Sequence, residues 1–215
     1  MRILIDIQHP ANYLLFKNFA AILMKKGHKV LFTIREKEVT KQLIQHNGLE
    51  YISFGTNLRT IIGKLFGLLK FSFNLLETVQ KFKPTLFISH GSIYSAIVSK
   101  IVMVPNISLN AVDSDDFLKL TGPLTTYYLT PESFTRDLGP KQITYPGYHE
   151  ISYLSPKYFS PDSSIFESLG IKRNEKYVII RFVSWDAYDD LGMSGMSDTQ
   201  KYQLVKELSS HCRVF

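Results

Sequence analysis

The chain has 215 residues, 45% of them hydrophobic and 20% charged, with a net charge of +6. That length supports one large domain or one and a half ordinary ones, and that composition excludes general disorder. The single cysteine, Cys212, excludes an internal disulfide and a multi-cysteine metal site, and the scattered basic residues, with no dense Lys/Arg block and no Cys/His finger spacing, favour small anionic partners over nucleic acid.

Ile3 to Ile7 is β-rich with little alternation, as in a parallel strand buried on both faces. Arg2 is followed at once by this run, which bears Asp6, so the start does not read as a secretory signal; a reducing, cytoplasmic setting is expected. After the loop Gln8-His9-Pro10, apolar residues at helical spacing (Leu15, Phe19, Ile22, Leu23) predict a helix over 11–26, ended by Gly27-His28. Lys29 to Ile34 reads as a second strand, Glu36 to His46 as a helix stopped by Asn47-Gly48, and Tyr51 to Phe54 as a third strand. This alternation implies a parallel sheet with right-handed crossovers.

Residues 58–82 are strongly apolar but interrupted by Arg59, Lys64, Lys70 and Lys81. Those charges deny a transmembrane span. The segment is expected to be a helix pair packed on the sheet, with peripheral membrane contact as the alternative. Leu86 to Ser89 is a fourth strand, His90-Gly91-Ser92 a turn, 95–102 a helix and Asn106 to Leu109 a fifth strand. An acidic loop (Asp113, Asp115, Asp116) precedes a sixth strand, Tyr127 to Thr130, and a short helix is expected from Pro131-Glu132. The boundaries follow as a Rossmann-like domain over 1–154, a Ser/Pro-rich linker over 155–170, and the start of a second such domain over 171–215. That start carries a buried strand from Tyr177 to Val183, a helix from Ser197 to Ser209 and an opening strand at Arg213 to Phe215.

In open parallel sheets, ligands bind beyond the carboxyl ends of the strands. Four polar clusters fall there: Gln8-His9-Pro10; His90-Gly91-Ser92; Asn110 with Asp113; and Gly147-Tyr148-His149-Glu150. His9 precedes a helix, where an imidazole and the helix N-terminus can meet a phosphate or sugar hydroxyl. Gly91 lets backbone approach a ligand, and Ser92 opens a helix. His149 and Glu150 are candidates for acid/base work, although neighbours in an extended segment point apart. In the second unit, Arg181 can hold a phosphate and Trp185, flanked by Ser184 and Asp186, can stack on a base or sugar. For each of these the competing reading is a cap, a tight turn or a packed core residue. The acidic loop offers no second ligand set, so no metal and no cofactor are expected. Gly192-Met193-Ser194-Gly195 lacks the spacing of a serine elbow, and neither a dinucleotide fingerprint nor a P-loop occurs.

Residues 1–36, through Lys26-Gly27-His28-Lys29-Val30, resemble an uncharacterised family called domain of unknown function 354. The likeness continues through Lys83-Pro84, His90-Gly91-Ser92, Thr130-Pro131-Glu132, Tyr145-Pro146-Gly147-Tyr148-His149-Glu150 and Tyr153-Leu154-Ser155-Pro156, and is most specific in Arg181 to Ala187. The resemblance implies a GT-B-like layout, similar to glycosyltransferases and to UDP-N-acetylglucosamine 2-epimerases, of which this chain looks like the N-terminal part. It implies sugar transfer from a nucleotide-sugar to a saccharide or lipid-linked acceptor in surface-polysaccharide synthesis. The alternatives are an epimerase-like enzyme or a non-catalytic sugar-binding or membrane-associated domain. Where the epimerases carry His-Gly-Asp and Glu-Ala-Gly, this chain has His90-Gly91-Ser92 and Asn110-Ala111-Val112. Ser92 and Asn110 cannot serve as carboxylate acid/base groups.

Overall fold

A computed structural model describes residues 1–56, 61–110, 115–183 and 194–215, with the side chains at 61, 62, 64, 65 and 115–117 left aside. The chain divides into two compact units, Met1–Phe159 and Ser160–Phe215.

The first unit is a seven-stranded sheet in the order β3-β2-β1-β4-β5-β6-β7, parallel at every pairing. Its strands are β1 (Arg2–Ile7), β2 (Lys29–Ile34), β3 (Tyr51–Ser53), β4 (Leu86–Ser89), β5 (Asn106–Leu109), β6 (Tyr127–Pro131) and β7 (Gln142–Tyr145). Between them run α1 (Pro10–Lys25), α2 (Thr40–His46), α3 (Ile61–Phe82), α4 (Ile93–Ile101) and α5 (Asp115–Thr121), and α6 (Ile151–Leu154) follows β7. This is the expected α/β architecture of a Rossmann-like parallel sheet flanked by helices.

The two-residue period of β1 sorts the core onto two faces. Ile3, Ile5 and Ile7 pack with Tyr13, Phe16 and Ala20 of α1 and Ile44 of α2. Leu4 points the other way, toward Phe71, Leu75 and Val79 of α3 and Val98 of α4. Each such fully buried side chain contributes about 1.5–3 kcal/mol through removal from water, which makes β1 the hinge of both clusters. Asp6 shares the α3/α4 face. It is buried and accepts hydrogen bonds from Thr33 Oγ1 (2.6 Å), Arg35 Nη1 (2.9 Å) and Ser92 Oγ (2.6 Å). The fully buried Arg35 guanidinium lies 4.6–5.1 Å from the ring centres of Phe54, Phe71 and Tyr94.

Helix ends follow local chemistry. Pro10 sits in the first turn of α1, and His9 caps it by accepting from the Ala11 N–H at 3.2 Å. The helix stops in a Schellman motif: His28 N–H bonds Leu23 O, Gly27 N–H bonds Met24 O, and Gly27 takes φ +81°.

Several expectations are corrected. The segment expected as a helix pair is one 22-residue helix, α3. Gly67 costs it only about 1 kcal/mol, and the burial of Phe71, Leu75 and Val79 outweighs that. Asp115 and Asp116, expected in a loop, open α5; Asp113 lies outside the described residues. The second helix begins at Thr40, because Glu36 instead binds Lys41 (2.9 Å) and Ser53 (2.7 Å). Pro131-Glu132 leads into a turn, and β7 is an additional strand.

The second unit holds α7 (Ser164–Ser168), β8 (Tyr177–Val178), α8 (Asp198–Ser209) and β9 (Arg213–Val214), with β8 parallel to β9. Ser197 and Gln200 close a capping box on α8. The strand expected over 177–183 is two residues long, continued only by Ile180 N–H to Phe215 O. Ile179 is 70% and Val183 57% exposed. A parallel strand is buried on both faces only with neighbours and helices around it, and the described part of this unit supplies one partner strand.

Candidate functional site

The sheet order reverses between β1 and β4: from β1 the chain winds outward to β2 and β3, from β4 to β5, β6 and β7. That switch point opens a crevice at the carboxyl edge, where loops on either side diverge. His9 leaves β1 there, His90 leaves β4, Asn110 ends β5, and His149 follows β7.

Two of these side chains, His90 and His149, meet. The His90 and His149 rings lie 5.2 Å apart, edge to face, and Tyr145 stacks on His149 at 6.0 Å. Burial, then the neighbouring His149, pushes the His90 imidazole down from 6.5 to about 4, and His9 adds to the same effect. Burial likewise lowers His149, with Glu150 opposing it weakly. Both rings are therefore neutral at pH 7 and able to accept a proton or a hydrogen bond. His9 is more open; its Nε2 stands 3.7 Å from Glu38 Oε1, an ion pair whenever His9 is protonated.

The loop carrying His90 is held from below. Gly91 takes φ +62°, a region that disfavours any side chain. Ser92 accepts from the Ser95 N–H at 3.2 Å and donates to Asp6 at 2.6 Å. The geometry gives the Ser92 hydroxyl a structural duty: it ties α4 and the His90 turn to the buried Asp6–Arg35 pair. Asn110 is similarly engaged, its Oδ1 accepting from Ser108 Oγ at 2.6 Å. Gly147 takes φ +143° in the turn that delivers His149 to the interior while Glu150 faces solvent. His149 and Glu150 thus point apart. Arg181 is exposed in the second unit; Ser184, Trp185 and Asp186 lie outside the described residues.

The sequence reading named Gln8 within the Gln8-His9-Pro10 cluster and did not single out Tyr145 or Ser152 as site residues. Gln8 Nε2, Tyr145 OH and Ser152 Oγ are buried without a hydrogen-bond partner, as is His149 Nε2. Their positions beside named motif residues were visible; their burial was not. An apolar cavity of about 270 Å³ is lined by Tyr145, His149 and Ser152 together with α1 and the strand floor. Among the described residues no group of three or more His, Cys, Asp or Glu is placed to hold a metal ion. Nor is any described helix long and apolar enough to cross a membrane.

Known structures share this fold. UDP-GlcNAc 2-epimerase from Neisseria meningitidis, bound to UDP-GlcNAc, superposes with a TM-score of 0.66 at 14% identity, over 100% of this chain and 71% of that one. MurG from Acinetobacter baumannii gives 0.58 at 9% identity over 84% of this chain, which covers 52% of MurG. SsfS6, a glycosyltransferase from Streptomyces sp. SF2575, gives 0.51 at 14% identity, over 83% of this chain and 61% of that one. These likenesses establish a GT-B-like fold, and the chain spans about half the length of MurG. No curated protein matches in sequence. Residues 1–193 match the family described as Protein of unknown function (DUF354), and the chain belongs to that family.

Proposed function

We propose that this chain forms the acceptor-binding side of a sugar-transfer enzyme that uses a nucleotide-sugar donor. The convergence of two desolvated, neutral imidazoles at the switch point carries the reading. A neutral imidazole near the acceptor hydroxyl takes its proton as the oxygen bonds to the anomeric carbon and the bond to the diphosphate breaks. His149 is the proposed base, and His9 stands at the N-terminus of α1, where negative charge is favoured. Arg181, Ser184, Trp185 and Asp186 are proposed for the nucleotide side, with Arg181 steadying the departing diphosphate. The setting we infer is cytoplasmic surface-polysaccharide synthesis, with α3 touching the membrane. Phe66, Leu69 and Phe73 form a stripe on its solvent face beside Lys70.

The test is release of nucleoside diphosphate from a panel of nucleotide-sugars offered with saccharide and lipid-linked acceptors. Replacing His149 by Gln should lower the rate about 10²-fold or more, within the usual worth of a general base. Absence of release with every donor from well-folded protein would overturn the reading. An epimerase-like reaction is the second reading, favoured by the TM-score of 0.66 to the Neisseria protein. It predicts solvent deuterium in the recovered sugar, which transfer does not.

A further inference from the structure

Two ring contacts fix the height of α3 against the sheet. The Arg2 guanidinium lies over the Phe82 ring at 5.6 Å, so the end of α3 is level with the start of β1. Phe71 lies 4.9 Å from the guanidinium of Arg35, which follows β2 and whose N–H bonds Ile7 O at the end of β1. The helix rises about 16 Å between Phe71 and Phe82, as β1 does from Arg2 to Ile7. Residues 71–82 therefore span the sheet, and α3 runs antiparallel to its strands. The turns from Ile61 to Lys70 extend past the carboxyl edge, by up to about 15 Å.

This overhang stands beside the candidate site. Phe71 packs edge to face on Tyr94 at 5.5 Å, and Tyr94 lies in the first turn of α4, shortly after His90. Phe66, Leu69, Lys70 and Phe73 recur at i, i+3, i+4 and i+7 and so share one face of α3. All four are exposed, and Phe66 and Leu69 lie on the overhang itself. Single exposed apolar residues are ordinary, whereas three in one stripe mark a contact surface.

Charge indicates what that surface meets. Lys70, Lys81 and Lys83 are exposed against one exposed acid, Glu77, which lies in the half of α3 nearer the amino edge. The sequence holds no acid from Asn57 to Leu76, and none falls in the first turn of α3, where the positive helix end favours one. Aromatic and aliphatic side chains beside a cation, without a carboxylate, suit the headgroup layer of an anionic bilayer. We infer that an anionic lipid surface lies across the carboxyl edge of the sheet, with the overhang of α3 in its headgroup layer and the His90 turn on the side toward it. For its meaning the inference rests on the sugar-transfer reading: the acceptor is then a lipid-linked species that reaches the crevice from the bilayer. The docking itself requires no donor and no turnover.

The probes are vesicles of phosphatidylcholine and phosphatidylglycerol in equal parts, compared with phosphatidylcholine alone, titrated with the whole chain. The mixed vesicles should bind about ten-fold or more tighter, and added salt should erase the difference. Lys70→Gln should weaken binding to them about five-fold, the worth of one cation near such a surface. Met103→Ser, at the opposite edge and equally open to solvent, should leave it unchanged. Bicelles of the mixed lipids with a gadolinium-chelating headgroup should broaden the amide signals of Phe66, Leu69 and His90 and spare those of Lys29, Thr85 and Met103. Equal affinity for the two vesicles, binding untouched by Lys70→Gln, or broadening at the amino edge instead would overturn the assignment. So would self-association through Phe66 and Leu69 in place of vesicle binding. If the bicelles broaden the carboxyl edge yet no donor supports transfer, the docking stands and the transferase reading falls. If transfer occurs and the mixed vesicles do not bind, the reverse holds.

Discussion

The buried ion pair under the site makes the sharpest prediction about this fold. Asp6→Asn keeps the shape of the side chain but removes its charge, leaving the guanidinium of Arg35 fully buried without a counter-ion. Breaking a pair of this kind costs about 3–5 kcal/mol, because the remaining charge cannot be resolvated. The Phe54, Phe71 and Tyr94 rings retain part of their attraction for the cation, which places the expected loss near the lower bound, about 3 kcal/mol. Asp6→Leu should cost more, since Thr33 and Ser92 then lose their acceptor as well. Arg35→Met alone should cost about 3 kcal/mol, and Asp6→Leu with Arg35→Met together should cost less than the sum, since neither charge is then stranded. The assay is urea unfolding followed by far-UV circular dichroism, with native-state hydrogen exchange at the β1 and β4 amides to read the first unit specifically. Added salt should leave the difference nearly unchanged, as a pair this deep is little screened. Additive single costs, or an Asp6→Asn variant within about 0.5 kcal/mol of the parent, would refute the argument that Asp6 and Arg35 act as a unit.

Stability of the first unit should decline as pH falls from about 6.5 to about 4, since unfolded His90 takes up a proton that the folded, desolvated ring refuses until about 4. His90→Gln should flatten that part of a stability–pH profile. Ser92→Ala removes the α4 cap and one donor to Asp6, and should lower stability by about 1–2 kcal/mol in denaturant melts; Ser92→Thr should restore most of it. Gly91→Ala imposes a side chain at φ +62° and should cost about 1 kcal/mol, while broadening or shifting the His90 ring resonances. Exchanging Phe66, Leu69 and Phe73 for Ser should abolish flotation with anionic vesicles and leave unfolding nearly unchanged, because all three are more than 60% exposed; undiminished flotation would remove α3 as a contact surface.

Sequence alone determined the local grammar. Ile3–Ile7 is apolar and β-branched enough, and Leu86–Ser89 apolar enough, to read as central strands, and Pro10, Gly27 and Ser197 set helix ends by their own stereochemistry. It also placed His9 and His90 beyond strand ends, since that follows from alternation of elements; the strand that precedes His149, β7, came only from the structure. What it left open was anything set by contacts distant in the chain. The depressed basicity of His90 arises first from burial by elements distant in the chain, and then from a ring 59 residues away along the sequence, at 5.2 Å in space. The duty of Ser92 depends on Asp6, 86 residues earlier, and no pattern around Ser92 announces it. Tyr177–Val183 reads as core, yet its exposure is decided by how many strands and helices surround it. Periodicity reports which face a side chain takes; only the packed sheet decides what waits on that face, and thereby which polar atoms at the rim remain without a partner.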